Sequence, residues 1–88
     1  MPSRTVELRN KRGLHARASA KFVTVAAGLA AEVEVEKDGT SVCGTSIMGL
    51  MMLGAAMGDT ITIHADGHGA EEAVAALAEL VEARFGEE

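Results

Sequence analysis

Residues 13–22, GLHARASAKF, set an imidazole between a glycine and an arginine where a helical pattern begins. From Ala16 onward, Arg17, Lys21 and Thr24 fall at i, i+4 and i+7 on one polar stripe, while Phe22, Val23, Ala26 and Ala27 turn toward a core. The first N–H groups of a helix have no intrahelical partner, so the backbone of Ala16 and Arg17 offers an anion-binding end. Gly13 allows a sharp bend just before it. An exposed neutral imidazole is a nucleophile near pH 7, and the planar fork of a guanidinium matches the oxygens of a phosphoryl group. His15 can therefore accept a phosphoryl group that Arg17 and the Ala16 and Arg17 amides hold. A surface histidine beside a helix cap, with Arg17 merely solvated, accounts for the same residues, and the stretch by itself leaves both readings open.

The second candidate stretch is TSIMGLMML, residues 45–53, which reads as a short helix capped by Thr45 or Ser46. Ile47, Met48, Met51 and Met52 form a stripe too wide for a helix that buries one side, and Leu50 and Leu53 already supply inward residues. Part of the stripe is expected to be exposed, beside Lys21 and Thr24, as an adaptable partner surface. The competing reading is that these methionines fill gaps in the core. His64, His68 and Cys43 match no metal-ligand spacing, so no metal site is expected. Cys43, among small and apolar neighbours with no His or Lys beside it, reads as a small core residue.

These residues need a scaffold, and the rest of the chain describes one. RTVEL (4–8) alternates with Val6 and Leu8 on one face, and EVEVE (32–36) alternates strictly with Val33 and Val35 inward. KDGT is a hairpin turn leading to the strand SVC, and TITIHA (60–65) turns Ile61, Ile63 and Ala65 inward. Gly28 suits the end of the first helix. A last helix over 70–85 carries Ala73, Val74, Leu77, Leu80 and Val81 as its apolar stripe, with Glu71 and Glu72 at its positive end. FGEE, at 85–88, is expected to fray. Each strand has one polar face, so helices should cover only one side of an antiparallel sheet.

Composition narrows the function. The chain has 88 residues, which gives room for one domain, 1–88. No apolar run is long enough to span a bilayer and no signal peptide is visible. A single cysteine excludes an internal disulfide and fits a reducing cytoplasm. The net charge of −5 hides an asymmetry: residues 1–21 carry six basic side chains against Glu7 alone, whereas the other 67 carry two against twelve acids. A small basic end suits a local anion site and not a nucleic-acid groove. RNA-binding modules of similar element order need aromatic residues on the sheet face, and here that face would show Glu32, Glu34, Glu36, Thr60 and Thr62. No pocket-forming constellation accompanies the nucleophile, which argues against an enzyme.

GLHARASA around His15 and GTSIMGLMMLG around Ser46 resemble the two signature motifs of the HPr family, the histidine-containing phosphocarriers of bacterial phosphotransferase systems. The similarity extends over nearly the whole chain, including element order and motif separation. It implies an α+β open-faced β-sandwich, order βαββαβα, with a four-stranded antiparallel sheet and three helices on one face. It also implies phosphorylation of His15 on Nδ1 by the phosphohistidine of enzyme I, with phosphoenolpyruvate as ultimate donor, and onward transfer to a histidine of an enzyme IIA-type protein. By the same resemblance Arg17 helps hold the phosphate and Ser46 is open to an ATP-dependent HPr kinase/phosphorylase. Two departures stand out: Ala18 where many relatives have proline, and Thr45 where many sugar-uptake carriers have lysine. The context Cys43-Gly44-Thr45-Ser46 is similar to carriers of the nitrogen-related regulatory branch. The expectation is a cytoplasmic monomer without cofactor, metal, nucleic acid or membrane partner. The alternative is a regulatory interaction module of the same fold controlled by phosphorylation of Ser46.

Overall fold

In the computed structural model, which describes residues 2–87, four strands form one antiparallel sheet of spatial order β1-β4-β2-β3. The strands are β1 (Ser3–Glu7), β2 (Glu32–Lys37), β3 (Thr40–Cys43) and β4 (Thr60–Asp66). The helices α1 (Ala16–Ala27), α2 (Ile47–Met52) and α3 (Ala70–Glu82) lie between and after them. Period-two alternation decides the layering. Val6, Val33, Val35, Ile61, Ile63 and Ala65 point to one face and are buried, while Glu32 and Glu34 point away and are exposed. Three helices cover the apolar face, and the other stays open. The β2–β3 hairpin turns on Asp38 and Gly39, both left-handed at φ 51° and 83°, the requirement of a type I′ turn that Asp-Gly meets. Among the described residues no helix is long and apolar enough to cross a membrane.

The expected elements are present, and three details differ. Ala27 is exposed, because the last turn of α1 carries it off the core-facing stripe that Ala18, Phe22 and Ala26 occupy. Cys43 is exposed too, since pairing Glu34 with Cys43 puts its side chain on the open face of the sheet with the glutamate. Its thiol lies 3.0 Å from Thr45 Oγ1, and that hydrogen bond holds its pKa below the ordinary value.

The third difference matters most. α3 stops at Glu82 and does not run to residue 85. Arg84 and Phe85 adopt left-handed φ values of 60° and 54°, and the chain doubles back. Phe85 is then fully buried in the main core. Lys21 Nζ donates to the Phe85 carbonyl at 2.8 Å. Residues 85–87 of the segment expected to fray are therefore anchored, Glu88 lying outside the described residues: the buried phenyl ring together with the Lys21 hydrogen bond offsets the roughly 1–2 kcal/mol that each left-handed residue costs. Phe85→Ala should lower the free energy of unfolding by about 3–5 kcal/mol. Urea unfolding followed by circular dichroism would measure it, and a change under about 1 kcal/mol would show that the anchor contributes little.

Candidate functional site

The residues before α1 are held tightly against the loop between α2 and β4. Leu8 N–H donates to the Asp59 carbonyl at 2.8 Å, Gly58 N–H to Leu8 at 2.8 Å, and Leu14 N–H to Ala55 at 3.0 Å. Gly13, at φ +59°, makes the last contact possible. A Cβ there would collide with the Ala55 carbonyl oxygen and stand 2.7 Å from Ala56 Cα. Two buried side chains tie the loop to itself and to the helix. Asn10 Nδ2 donates to the Gly13 carbonyl at 2.8 Å, and Ser19 Oγ donates to the Leu14 carbonyl at 3.1 Å. His15 thus leaves a fixed backbone.

His15 is itself the N-cap of α1, with an extended backbone at φ −73°, ψ −178°. Its carbonyl accepts the first helical bond, from Ser19 N–H at 2.9 Å. Its own ring caps the helix, Arg17 N–H donating to Nδ1 at 3.2 Å. On the other side of the ring, Nε2 lies 2.7 Å from Glu87 Oε2. An amide can only donate and a carboxylate can only accept, so these partners assign the proton of the neutral ring to Nε2 and a lone pair to Nδ1. The Nδ1 lone pair thereby stands at the positive end of a helix of 12 residues, beside the Ala16 N–H, which has no partner within the helix.

Two features differ from the sequence reading. The Arg17 amide is not an open donor but is occupied by His15. The imidazole is also not freely exposed: its side chain retains 17% of its accessible surface, because Glu87 lies against it. The second Glu87 oxygen, Oε1, accepts from Asn10 Nδ2 at 3.1 Å. Burial pushes the Glu87 carboxyl up, but hydrogen bonds from His15 and Asn10, with the charge of Arg17 and that of His15 whenever its ring is protonated, outweigh it and leave the group below its ordinary value. Asn10 and Glu87 are functional-site neighbours that periodicity could not reveal. Their one sequence signal is Phe85, a large apolar residue two positions before Glu87 in a stretch otherwise polar.

Comparison with known proteins follows the same outline. The family model described as the PTS HPr component phosphorylation site matches residues 2–83. The chain belongs to the HPr family. A phosphocarrier protein HPr from Neisseria meningitidis serogroup A is 48% identical over 87 residues, covering 99% of this chain and 98% of that protein. A phosphocarrier protein NPr from Shewanella violacea is 39% identical over 84 residues, covering 96% and 92%. The crystal structure of an HPr from Thermoanaerobacter tengcongensis superposes with a TM-score of 0.95 at 45% identity, covering 100% of this chain and 99% of that one. The HPr family is one of phosphocarriers and not of catalytic enzymes.

The HPr-family fold also places the second motif. Ser46 caps α2, its Oγ accepting from Gly49 N–H at 3.0 Å, so the cap is Ser46 and not Thr45. Leu50 and Leu53 anchor α2 inward. Met48 and Met52 keep 69% and 79% of their surface, with Ile47 and Met51 at about two-fifths, so the stripe is exposed and not core filling. Met57, missed in the sequence reading, adds to the exposed apolar residues from the loop that grips Gly13 and Leu14. Lys21 and Thr24 are exposed on α1, although the Lys21 ammonium is engaged by Phe85 and the Thr24 hydroxyl by the Ala20 carbonyl at 2.9 Å. His64 pairs with Glu36 at 3.0 Å across β4 and β2, and His68 is exposed in the turn before α3. Among the described residues no three His, Cys, Asp or Glu side chains could hold a metal ion.

Gly13→Ala is expected to cost about 2–3 kcal/mol, combining a left-handed Cβ with the collision against Ala55. Amide exchange of Leu14 should accelerate by more than that of the β2–β4 ladder. Uniform acceleration would make the damage global and the clamp unimportant.

Proposed function

We propose that the chain, acting as one domain over 1–88 and as a monomer, carries a phosphoryl group on His15 Nδ1 between two partner proteins. The observation that carries this reading is the double constraint on the ring, an N–H facing Nδ1 and a carboxylate facing Nε2, which presents a lone pair where a helix end and Arg17 meet. The donor is the phosphohistidine of enzyme I, and the acceptor is a histidine of an enzyme IIA-type protein in a sugar-uptake or nitrogen-related phosphotransferase system. A phosphoramidate retains a high transfer potential, which a serine phosphoester does not, so the relay uses histidine. The Arg17 guanidinium and the Ala16 amide supply charge-assisted donors to the incoming oxygens, and the Arg17 amide joins them once the Nδ1 lone pair that it now donates to is taken up by the N–P bond. No cofactor is required. The partners supply the remaining catalytic groups.

His15→Ala should abolish labelling by phosphoenolpyruvate and enzyme I, whereas His64→Ala and His68→Ala should label normally. Arg17→Ala should fold with stability within about half a kcal/mol of wild type, since it is exposed, yet accept phosphate at least tenfold more slowly. Acid-labile phosphate on the His15→Ala protein would refute the assignment.

Ile47, Met48, Met51 and Met52, with Lys21 and Thr24, form the surface that partners cover. Their exposure and the direct bonding between the His15 loop and the segment following α2 support this reading. A phosphate on Ser46 would add about two negative charges at the edge of that surface. A partner complementary to Arg17 and Lys21 would then be repelled. Met48→Asp and Ser46→Asp should each fold normally and bind enzyme I at least fivefold more weakly by calorimetry. Wild-type affinity in both would assign Ser46 to capping alone and remove the patch from the interface.

A further inference from the structure

Glu87 covers the ring that the phosphoryl group must reach, and several independent features hold it there. The left-handed pair Arg84 and Phe85 turns the chain back after α3, and Phe85 is fully buried. Lys21 Nζ fixes the Phe85 carbonyl at 2.8 Å, and the Glu87 amide donates to the Arg84 carbonyl at 2.8 Å. Both carboxylate oxygens are then used, Oε1 by Asn10 and Oε2 by His15. Asn10 is wholly buried and also holds the Gly13 carbonyl, so one side chain locates both the nucleophile's loop and the carboxylate.

Given phosphoryl transfer at His15 Nδ1, we propose that Glu87 is a positioning residue for that transfer, orienting the ring through Nε2 and opposing the positive charge the ring acquires. In that step the Nδ1 lone pair forms the N–P bond. The bond from phosphorus to the donor's imidazole nitrogen breaks, and its electron pair leaves with the donor. The Nε2 proton stays in place, so the phosphorylated ring carries a positive charge that it lacked before. A carboxylate already at 2.7 Å from Nε2 favours the charged ring over the neutral one, without any reorganisation. It approaches the ring from the nitrogen opposite to the attacking atom, so it need not leave when the phosphoryl group arrives. The carboxylate also feels the Arg17 charge, which links the two ends of the site.

A glutamine at this position separates charge from architecture. Its amide oxygen can accept from Nε2–H or from Asn10, and its size keeps the tail in place, but the negative charge is gone. The full chain would be compared as wild type, Glu87→Gln, Glu87→Ala and His15→Ala, with enzyme I and phosphoenolpyruvate as donor. Rapid-quench kinetics would give the saturated rate and the half-saturating donor concentration, and ring nitrogen NMR shifts would report the His15 tautomer. Glu87→Gln is expected to melt with wild type, keep the half-saturating concentration and slow the saturated step about five- to tenfold, the size of the difference between a charge-assisted and a neutral hydrogen bond. Glu87→Ala should be at least as slow, with its ring nitrogen shifts displaced from those of wild type. A wild-type rate in Glu87→Gln with a slow Glu87→Ala would reduce Glu87 to a structural clasp, and a raised half-saturating concentration alone would make it a docking contact. Either result overturns the proposal while leaving His15 as carrier. Phosphate acceptance by His15→Ala would instead remove the carrier reading itself.

Discussion

Gly13 and Ala55 approach each other more closely than any side chain would permit, and the working end of the molecule is arranged around that contact. Removing a Cβ lets Leu14 N–H reach the Ala55 carbonyl, which fastens the segment before α1 to the segment after α2. A histidine on an unsupported loop would sample many orientations, and each ordered residue there costs about 1–2 kcal/mol of backbone entropy. Here that entropy is lost on folding, through backbone bonds and two buried polar side chains, so the ring is oriented before any partner arrives. Preorganisation of this kind lowers the cost of forming a charged transition state.

The same contact joins two surfaces of different chemistry. On one side lies a helix end with Arg17 and a lone pair on Nδ1. On the other lie methionines that α2 cannot bury, because in six residues its inward positions go to Leu50. A partner covering both gains apolar area and meets a local basic charge on a protein whose net charge is −5. The open sheet face, with Glu32 and Glu34 exposed, carries the opposite sign and would turn an acidic partner away from the wrong side. The flexible thioethers suit more than one partner shape, which a carrier moving between donor and acceptor requires.

Beyond α3 the chain spends left-handed strain at Arg84 and Phe85 to return to the site. The compensation is local: a phenyl ring in the core, an ammonium on its carbonyl, and a carboxylate satisfied at both oxygens. Strain of this sort persists only where the surroundings over-determine it. Its effect is to surround the imidazole with groups of fixed hydrogen-bonding sense, which decides the tautomer.

Much of this was legible in the residues. Alternation in EVEVE and TITIHA determined which side chains enter the core, since a strand has only two faces. The Asp38-Gly39 turn, the apolar stripe of α3, the exposed methionines and the two motifs around His15 and Ser46 followed from local rules and family resemblance. Cys43 was misplaced because its neighbours in sequence suggest a core, while the pairing register with Glu34 turns it outward. Residues 85–87 of the FGEE stretch were misplaced for a related reason. Polar residues and a glycine give no periodic signal, and the energy that orders them comes from Phe85 meeting a core assembled from the rest of the chain. Sequence alone thus determined the elements, their faces and the candidate histidine at the start of α1, because those depend on neighbours a few residues away. Tertiary structure decided which nitrogen of that ring carries the lone pair, because His15 and Glu87 stand 72 positions apart and meet only when the sheet and helices have closed.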